Sequence, residues 1–147
     1  MLTFTSDGTA FVTGRMRFLD EDPGSPEKSH KIYVKIIPGD FESSVLAQLD
    51  TGAAWSILDP QIAEELALFN GQGPPITLDT RIGPVSGRLE RTKITILADE
   101  GESTEFEATV FVSREWQAGS FLGYAGLLER VRFAIDPQQN FFYFGPG

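Results

Sequence analysis

The residues best suited to chemistry are Asp50, Thr51 and Gly52, which directly follow an apolar stretch at positions 45–49. A carboxylate placed here leaves the sheet at a tight turn beside buried strands, where it can act as a general acid or base. Gly52 lets the backbone turn and allows another chain to approach closely. The Thr51 hydroxyl both donates and accepts hydrogen bonds, so it can hold the turn in place. These three residues form the candidate catalytic group.

The composition excludes several other kinds of site. The chain has no cysteine, which rules out disulfides, thiolate nucleophiles and cysteine-based zinc sites. The single histidine, His30, lies in a polar stretch, and we interpret it as a solvated loop residue rather than a catalytic or metal-binding one. We therefore expect neither a metal ion nor an organic cofactor.

The charge balance also limits the choice of partner. The formal net charge is −9, from 12 basic and 21 acidic residues, and the basic residues do not cluster. A phosphate backbone would be repelled, so we expect no nucleic-acid partner. The sequence has neither a signal-peptide pattern at its start nor an apolar run as long as a membrane span. We expect no membrane association and, by default, a cytoplasmic location.

Alternation of apolar and polar residues is the main structural signal. It is clear at 31–37 and at 104–112, where apolar side chains would cover one face of a sheet and polar ones the other. Stretches rich in glycine, proline and aspartate separate the alternating runs and predict turns. The predicted strands lie near 31–37, 43–49, 76–82, 88–97, 104–112, 131–135 and 141–144.

Two short helices complete the predicted domain. Asp59 can cap a helix that begins at Pro60 and ends near residue 66. A second helix is predicted at about 124–130. Residues 20–30 are predicted to form a polar loop. Together these features predict a single, mainly β, barrel-like domain over residues 1–147.

A downstream element, Phe121-Leu122-Gly123, supports the interpretation of Asp50-Thr51-Gly52 as the catalytic group. With both motifs the sequence resembles, over about 32–144, the retropepsin family, the single-domain aspartic proteases of retroviruses and their bacterial and eukaryotic relatives. The resemblance implies a retropepsin-like acid protease barrel and an aspartic endopeptidase. In such an enzyme Asp50 would be the catalytic acid, Thr51 would reach the other subunit, and the Gly52 carbonyl would contact substrate.

The resemblance also implies a set of substrate contacts. The hairpin of strands 76–82 and 88–97 would be a closed flap with its tip at 82–87, and glycines there would permit opening. A plain hairpin is the alternative, because hairpin tips are commonly rich in glycine. The loop at 116–119 would form a pocket wall, although Trp116 fits a core or interface position equally well. The candidate substrate-binding residues are Ala53, Ala54, Ile82, Gly83, Pro84, Val85, Trp116 and Gly119.

The number of carboxylates predicts the assembly. Hydrolysis by this route needs two carboxyl groups, one protonated and one ionised. Neither Asp79 nor Asp136 is followed by the Thr-Gly pair, so the second carboxylate would be Asp50 of a twin chain. We therefore expect a homodimer with two-fold symmetry that acts on a polypeptide substrate.

Two departures from the family pattern carry consequences. Ala54 and Tyr124 occupy positions where family members often have an acid and an arginine, so both partners of that ion pair are absent together. Dimer stability would then come from elsewhere, with the aromatic segment at 141–144 as the candidate. Ala53 replaces a hydroxyl residue of many two-domain relatives. A donor to an ionised carboxylate lowers its pKa, so its absence predicts activity nearer neutral pH.

Two other functions are compatible with the sequence. The first is a dimerisation or peptide-binding module with the same fold and no peptidase activity, since function depends on the site rather than the fold. The second is a ligand-binding β-barrel in which Asp-Thr-Gly is coincidental. The first predicts that Asp50 is dispensable for binding, and the second predicts a monomer with an internal pocket.

Overall fold

The computed structural model describes residues 2–3, 8–21 and 28–147, without the side chains of residues 28–30. Strands dominate this part of the chain. They are β1 (Gly14–Arg17), β2 (Leu19–Glu21), β3 (Lys28–Pro38), β4 (Val45–Leu49), β5 (Ser56–Ile57), β6 (Pro75–Thr80), β7 (Gly83–Ile96), β8 (Glu100–Gly101), β9 (Thr104–Val112), β10 (Phe121–Leu122), β11 (Val131–Asp136) and β12 (Phe141–Pro146). The helices are α1 (Pro60–Glu65) and two 3-10 helices, Leu68–Asn70 and Leu128–Arg130.

Six strands close into a barrel. Their order is β3-β4-β10-β5-β9-β7, and the pairing of β7 with β3 closes the ring. The long antiparallel pair of β7 and β9 runs from Arg88↔Val112 to Ile96↔Thr104. Alternate residues of these strands, such as Ile94 and Phe106, are buried in the core. The period of two read from the sequence therefore predicts the barrel correctly, and the mainly β prediction is confirmed.

A second sheet packs its inner face on the same core. Its strand order is β11-β12-β1-β8. Phe142 and Phe144 point inward and are fully buried, whereas Phe141 and Tyr143 are only half-buried. On that side the Arg15 guanidinium lies 4.2 Å from the centre of the Phe141 ring. Two of the four aromatic residues expected to stabilise a dimer are thus packed in the core of their own chain.

The two predicted helices have different outcomes. Helix α1 lies where expected, and the Asp59 side chain caps it by accepting a hydrogen bond of 2.9 Å from the Gln61 N–H. The helix predicted at 124–130 is wrong, since only Leu128–Arg130 forms a short 3-10 helix. Gly126 takes a φ of +81°, and its carbonyl accepts a hydrogen bond from the Thr109 N–H of β9. The backbone there therefore joins the barrel instead of continuing a helix.

The polar loop predicted at 20–30 is wrong at both ends of that range. Strand β2 extends to Glu21 and β3 begins at Lys28, while residues 22–27 lie outside the described part of the chain. The backbone of His30 thus belongs to a strand rather than a loop. None of the helices in the described residues is long and apolar enough to cross a membrane.

Candidate functional site

Asp50 lies immediately after β4, at the floor of a cleft. Strand β4 runs parallel to β10, with Gln48 opposite Phe121 and Leu49 opposite Leu122. The Asp50 N–H extends this ladder by donating to the Leu122 carbonyl at 3.0 Å. Asp50 itself is half-buried. Its backbone is therefore fixed by the sheet, while its carboxylate remains accessible from the cleft.

The turn at Asp50 shapes the space around its carboxylate. The Gly52 N–H donates to Asp50 Oδ1 at 3.0 Å, and the Ala53 N–H donates to the Asp50 carbonyl at 3.1 Å. A Cβ atom on Gly52 would lie 3.3 Å from Oδ1, a contact tighter than most side chains make. Glycine thus keeps one side of the carboxylate open. Thr51 is exposed, and its hydroxyl has no hydrogen-bond partner within the residues described.

The segment after the turn lies along the downstream motif. The Tyr124 N–H donates to the Ala53 carbonyl at 2.9 Å, and the Ala125 N–H donates to the Ala54 carbonyl at 2.8 Å. These backbone bonds hold the two segments side by side. The Phe121-Leu122-Gly123 segment and the residues after it therefore lie against the Asp50-Thr51-Gly52 turn.

Gly123 allows this contact to be close. A Cβ atom at Gly123 would lie 2.4 Å from the backbone carbonyl of Trp55, so no larger residue fits without displacement. The Gly123 N–H donates to the Ser56 hydroxyl at 2.9 Å, and Ser56 is fully buried. Since an unpaired buried N–H costs about 1–3 kcal/mol, this bond helps to fix the loop.

The cleft has two adjoining lobes that share Asp50. The smaller, of about 380 Å³, is lined by Lys31, Gln48, Asp50, Thr80, Arg81, Ile82, Trp116, Ala118 and Phe121. The larger, of about 520 Å³, is lined by Asp50, Gly52, Ala53, Ala54, Trp55, Ile57, Leu78, Asp79, Thr80, Arg81, Trp116 and Phe121. The structure thus brings the Asp50 turn, the end of the β6–β7 hairpin and Trp116 around one space.

The hairpin turn differs from the predicted one. Thr80 pairs with Gly83, so the turn consists of Arg81 and Ile82, and the tip predicted at 82–87 is wrong. The Thr80 hydroxyl donates to the Gly83 carbonyl at 2.7 Å and accepts from the Ile82 N–H at 3.3 Å. Gly83 takes a φ of +109°, which glycine tolerates.

Of the four hairpin residues predicted to bind substrate, one lines the cleft and three do not. Ile82 is 73% exposed and lines the smaller lobe. Gly83 and Pro84 begin β7 and do not line either lobe, and Val85 is buried in a small apolar cluster with Phe111. Gly83 and Gly87 therefore lie within β7 and not in the two-residue turn.

Trp116 has both of the roles considered for it. It is buried in the same apolar cluster, and it also lines both lobes. Its indole N–H donates to the Gly119 carbonyl at 2.6 Å, and its ring meets Phe121 edge to face at 5.7 Å. Gly119 lines an adjoining depression rather than the lobes around Asp50. The loop therefore gives the cleft an aromatic wall.

The charged groups of the cleft are mixed in sign. Asp79 lines the larger lobe, Lys31 the smaller one and Arg81 both. Asp136 lies away from the cleft, at the end of β11, where its Oδ1 accepts backbone hydrogen bonds of its own turn. No group of three histidine, aspartate or glutamate side chains that could hold a metal ion occurs in the described ranges.

Several lining residues were not foreseen from the sequence. Arg81, Thr80 and Asp79 reach the cleft because the hairpin turns earlier than its glycines suggested. Phe121 was noted only as part of the supporting motif, yet its partly buried ring forms a wall. A two-residue turn without glycine leaves little signal, so only the strand register could have located these residues.

Comparison with known proteins supports the fold more than any sequence relationship. No protein-family model and no curated protein sequence matches the chain. Among solved structures, a retropepsin-like aspartic protease from Rickettsia conorii superposes with a TM-score of 0.61 at 18% identity. The match covers 90% of this chain and 92% of the other. The chain therefore has the retropepsin-like fold that its two motifs predicted.

Proposed function

We propose that this chain is an aspartic endopeptidase that works as a homodimer, with Asp50 of each subunit supplying one of two catalytic carboxyl groups. The observation that carries the proposal is the placement of Asp50. Its backbone is locked between β4 and β10, and its carboxylate faces a cleft between an aromatic wall and a hairpin. The likeness in fold to a retropepsin-like aspartic protease supports the same function.

The chemistry needs the two carboxyl groups in different protonation states. The ionised one takes a proton from a water molecule, whose oxygen attacks the peptide carbonyl carbon. The protonated one gives its proton to the carbonyl oxygen, which yields a tetrahedral diol. The C–N bond then breaks as a proton moves to the leaving nitrogen, releasing an acid and an amine. Two carboxyl groups that lie close together do not both ionise, because their negative charges repel each other. The pair therefore keeps one proton.

The shape of the cleft supports a polypeptide as the proposed substrate. An extended polypeptide can lie between the Asp50 turn and the β6–β7 hairpin as an added strand, with alternate side chains in the two lobes. Trp116 and Phe121 favour apolar side chains in at least part of this space. Thr51, exposed beside Asp50, is the residue that we propose contacts the other subunit.

Substitution of Asp50 tests the catalytic role. Asp50→Asn should lower kcat/KM on a peptide substrate by about 10²–10⁴-fold, because the amide cannot take up a proton from water. The matched control is Asp40→Asn, which changes an exposed carboxylate at the turn after β3. Cleavage by Asp50→Asn at the wild-type rate would exclude Asp50 as the catalytic acid and with it the aspartic-type assignment. Peptide binding without cleavage by the wild-type chain would instead favour a binding module.

A mixed dimer tests the shared site. Wild-type and Asp50→Asn chains carrying different tags can be co-expressed, and the doubly tagged species purified. That species should lose activity to the same degree as the Asp50→Asn homodimer, because each site needs both carboxyl groups. A wild-type and Asp40→Asn pair should remain active. Sedimentation that shows an active monomer would refute the dimeric site.

A further inference from the structure

One arginine, Arg81, projects from the hairpin into the cleft. It is the first residue of the two-residue turn between β6 and β7, and it lines both lobes together with Asp50. The two hydrogen bonds of the Thr80 hydroxyl across this turn fix the point from which the Arg81 side chain starts. Arg81 therefore brings a positive charge to the lining of both lobes.

The Arg81 guanidinium makes no ion pair or hydrogen bond with any residue that the structure describes. Other arginines are engaged: Arg15 pairs with Glu100 at 2.6 Å, and Arg114 pairs with Glu64 at 2.9 Å. A long cationic side chain left without a partner in a cleft is available to a ligand.

The surroundings of Arg81 favour a carboxylate as that ligand. Trp116 and Phe121 form an apolar wall of the same space, and Arg81 and Lys31 are the cationic groups that line the smaller lobe with them. The planar guanidinium matches a carboxylate with two parallel hydrogen bonds. Asp50 and Asp79 line the larger lobe with Arg81, so an acidic side chain would be repelled there without it.

We infer that Arg81 is a specificity-determining residue that selects polypeptides carrying an aspartate or glutamate side chain close to the scissile bond. This inference rests on the proposed peptidase function. It adds an acidic preference at one substrate position to the apolar preference given by the aromatic wall. The guanidinium would hold the acidic side chain while the backbone passes Asp50.

Cleavage of a peptide library tests the inference. Wild-type protein, Arg81→Gln and Arg81→Glu are incubated with peptides that are identical except for Asp, Gln or Lys at each position near one cleavage site, and products are quantified by mass spectrometry. The control is Arg91→Glu, which reverses an exposed charge on β7 outside both lobes. Thermal unfolding of each variant reports whether it is folded, as expected for changes at an exposed turn.

We expect the wild type to prefer Asp over Gln at one position by roughly ten-fold in kcat/KM. Arg81→Gln should abolish this preference, Arg81→Glu should reverse it toward Lys, and Arg91→Glu should keep it. Wild-type cleavage without any acidic preference, or an acidic preference retained by Arg81→Glu, overturns this inference and leaves the proposed function intact. Failure of the wild type to cleave any peptide overturns both.

Discussion

At the scale of single residues, the surroundings of the Asp50 carboxylate depend on two small residues, Gly52 and Ala53. Gly52 has no Cβ to crowd the Asp50 carboxylate, and Ala53 brings no hydroxyl next to it. The only hydrogen bond to the carboxylate from the described residues is that of the Gly52 N–H. Among the described residues, the hydrogen bond to the Asp50 carboxylate therefore comes from the backbone and not from a side chain.

Replacement of Ala53 by serine should shift the pH dependence of the proposed peptidase. A hydroxyl donor favours the ionised form of a carboxyl group, so the acidic limb of the kcat/KM profile should move to lower pH. The measurement is a pH–rate profile compared with that of Ala53→Val, which adds bulk without a donor. An equal displacement in both variants, or a shift to higher pH in the serine variant, would count against this explanation.

At the scale of elements, the candidate site is a junction of short strands. Strands β5 and β10 have only two residues each. Strand β10, which contains Phe121 and Leu122 of the downstream motif, lies between β4 and β5 and so holds this motif beside the Asp50 turn. The sequence predicts β9 closely because alternation over many residues marks a strand, and it predicts β11 because a turn-rich segment at 136–140 follows it. It does not predict β5 or β10, because two residues show no period and their pairing comes from the tertiary fold.

The β6–β7 hairpin illustrates a second limit of prediction. The sequence predicts the hairpin, but Gly83 and Gly87 suggest a turn later in the chain than the observed one at Arg81 and Ile82. Gly87 serves packing instead, since a Cβ there would lie 2.3 Å from the Val112 carbonyl and 2.7 Å from the Phe111 ring. The motif residues of the site could thus be read from the sequence, whereas the hairpin residues that face them could not.

Replacement of Gly123 by alanine should disrupt this junction. The new Cβ would be 2.4 Å from the Trp55 carbonyl group, so the two segments must separate and weaken the Ser56 hydrogen bond. We expect a loss of about 1–3 kcal/mol in the free energy of unfolding, measured by denaturant titration. Activity should fall more than the folded fraction does. A variant with wild-type stability and activity would show that the contact is adaptable.

At the scale of the whole molecule, Asp99 connects the barrel to the second sheet. Its Oδ2 accepts from the Arg17 N–H of β1 at 2.8 Å, and its Oδ1 pairs with the Lys35 ammonium of β3 at 2.8 Å. Partial burial raises the pKa of Asp99, but the Lys35 and Arg17 hydrogen bonds together outweigh it and hold the pKa below its usual value. The ionised form is therefore the one that favours the folded state.

Substitution of Asp99 should reveal this link through its pH dependence. Asp99→Asn should lower the free energy of unfolding at pH 7 by about 0.5–1 kcal/mol, a figure reduced for solvent screening because the pair is partly exposed. A depressed carboxyl pKa stabilises the fold above the unfolded-state value of about 3.9. This stabilisation is lost as pH falls through the folded-state value, so the difference between the two proteins should close in acid.

The control for this experiment is Glu105→Gln, which removes a wider and more exposed pair with Lys93 at 3.8 Å. Its effect on the free energy of unfolding should be near zero at every pH. A difference between wild type and Asp99→Asn that stays constant from pH 7 to pH 2, or widens in acid, would contradict the assigned link.

The parallel pairing of β4 with β10 has a consequence for the order of folding. Leu49 and Leu122 are adjacent in space, but about half of the sequence separates them. Closing so long a loop is entropically costly, and contacts of this separation slow folding. The floor under Asp50 is therefore complete only when both ends of this interval have docked. A nascent chain that has not yet emerged past Gly123 holds the Asp-Thr-Gly sequence without its supporting strand, so maturation of the fold itself controls when the carboxylate is in place.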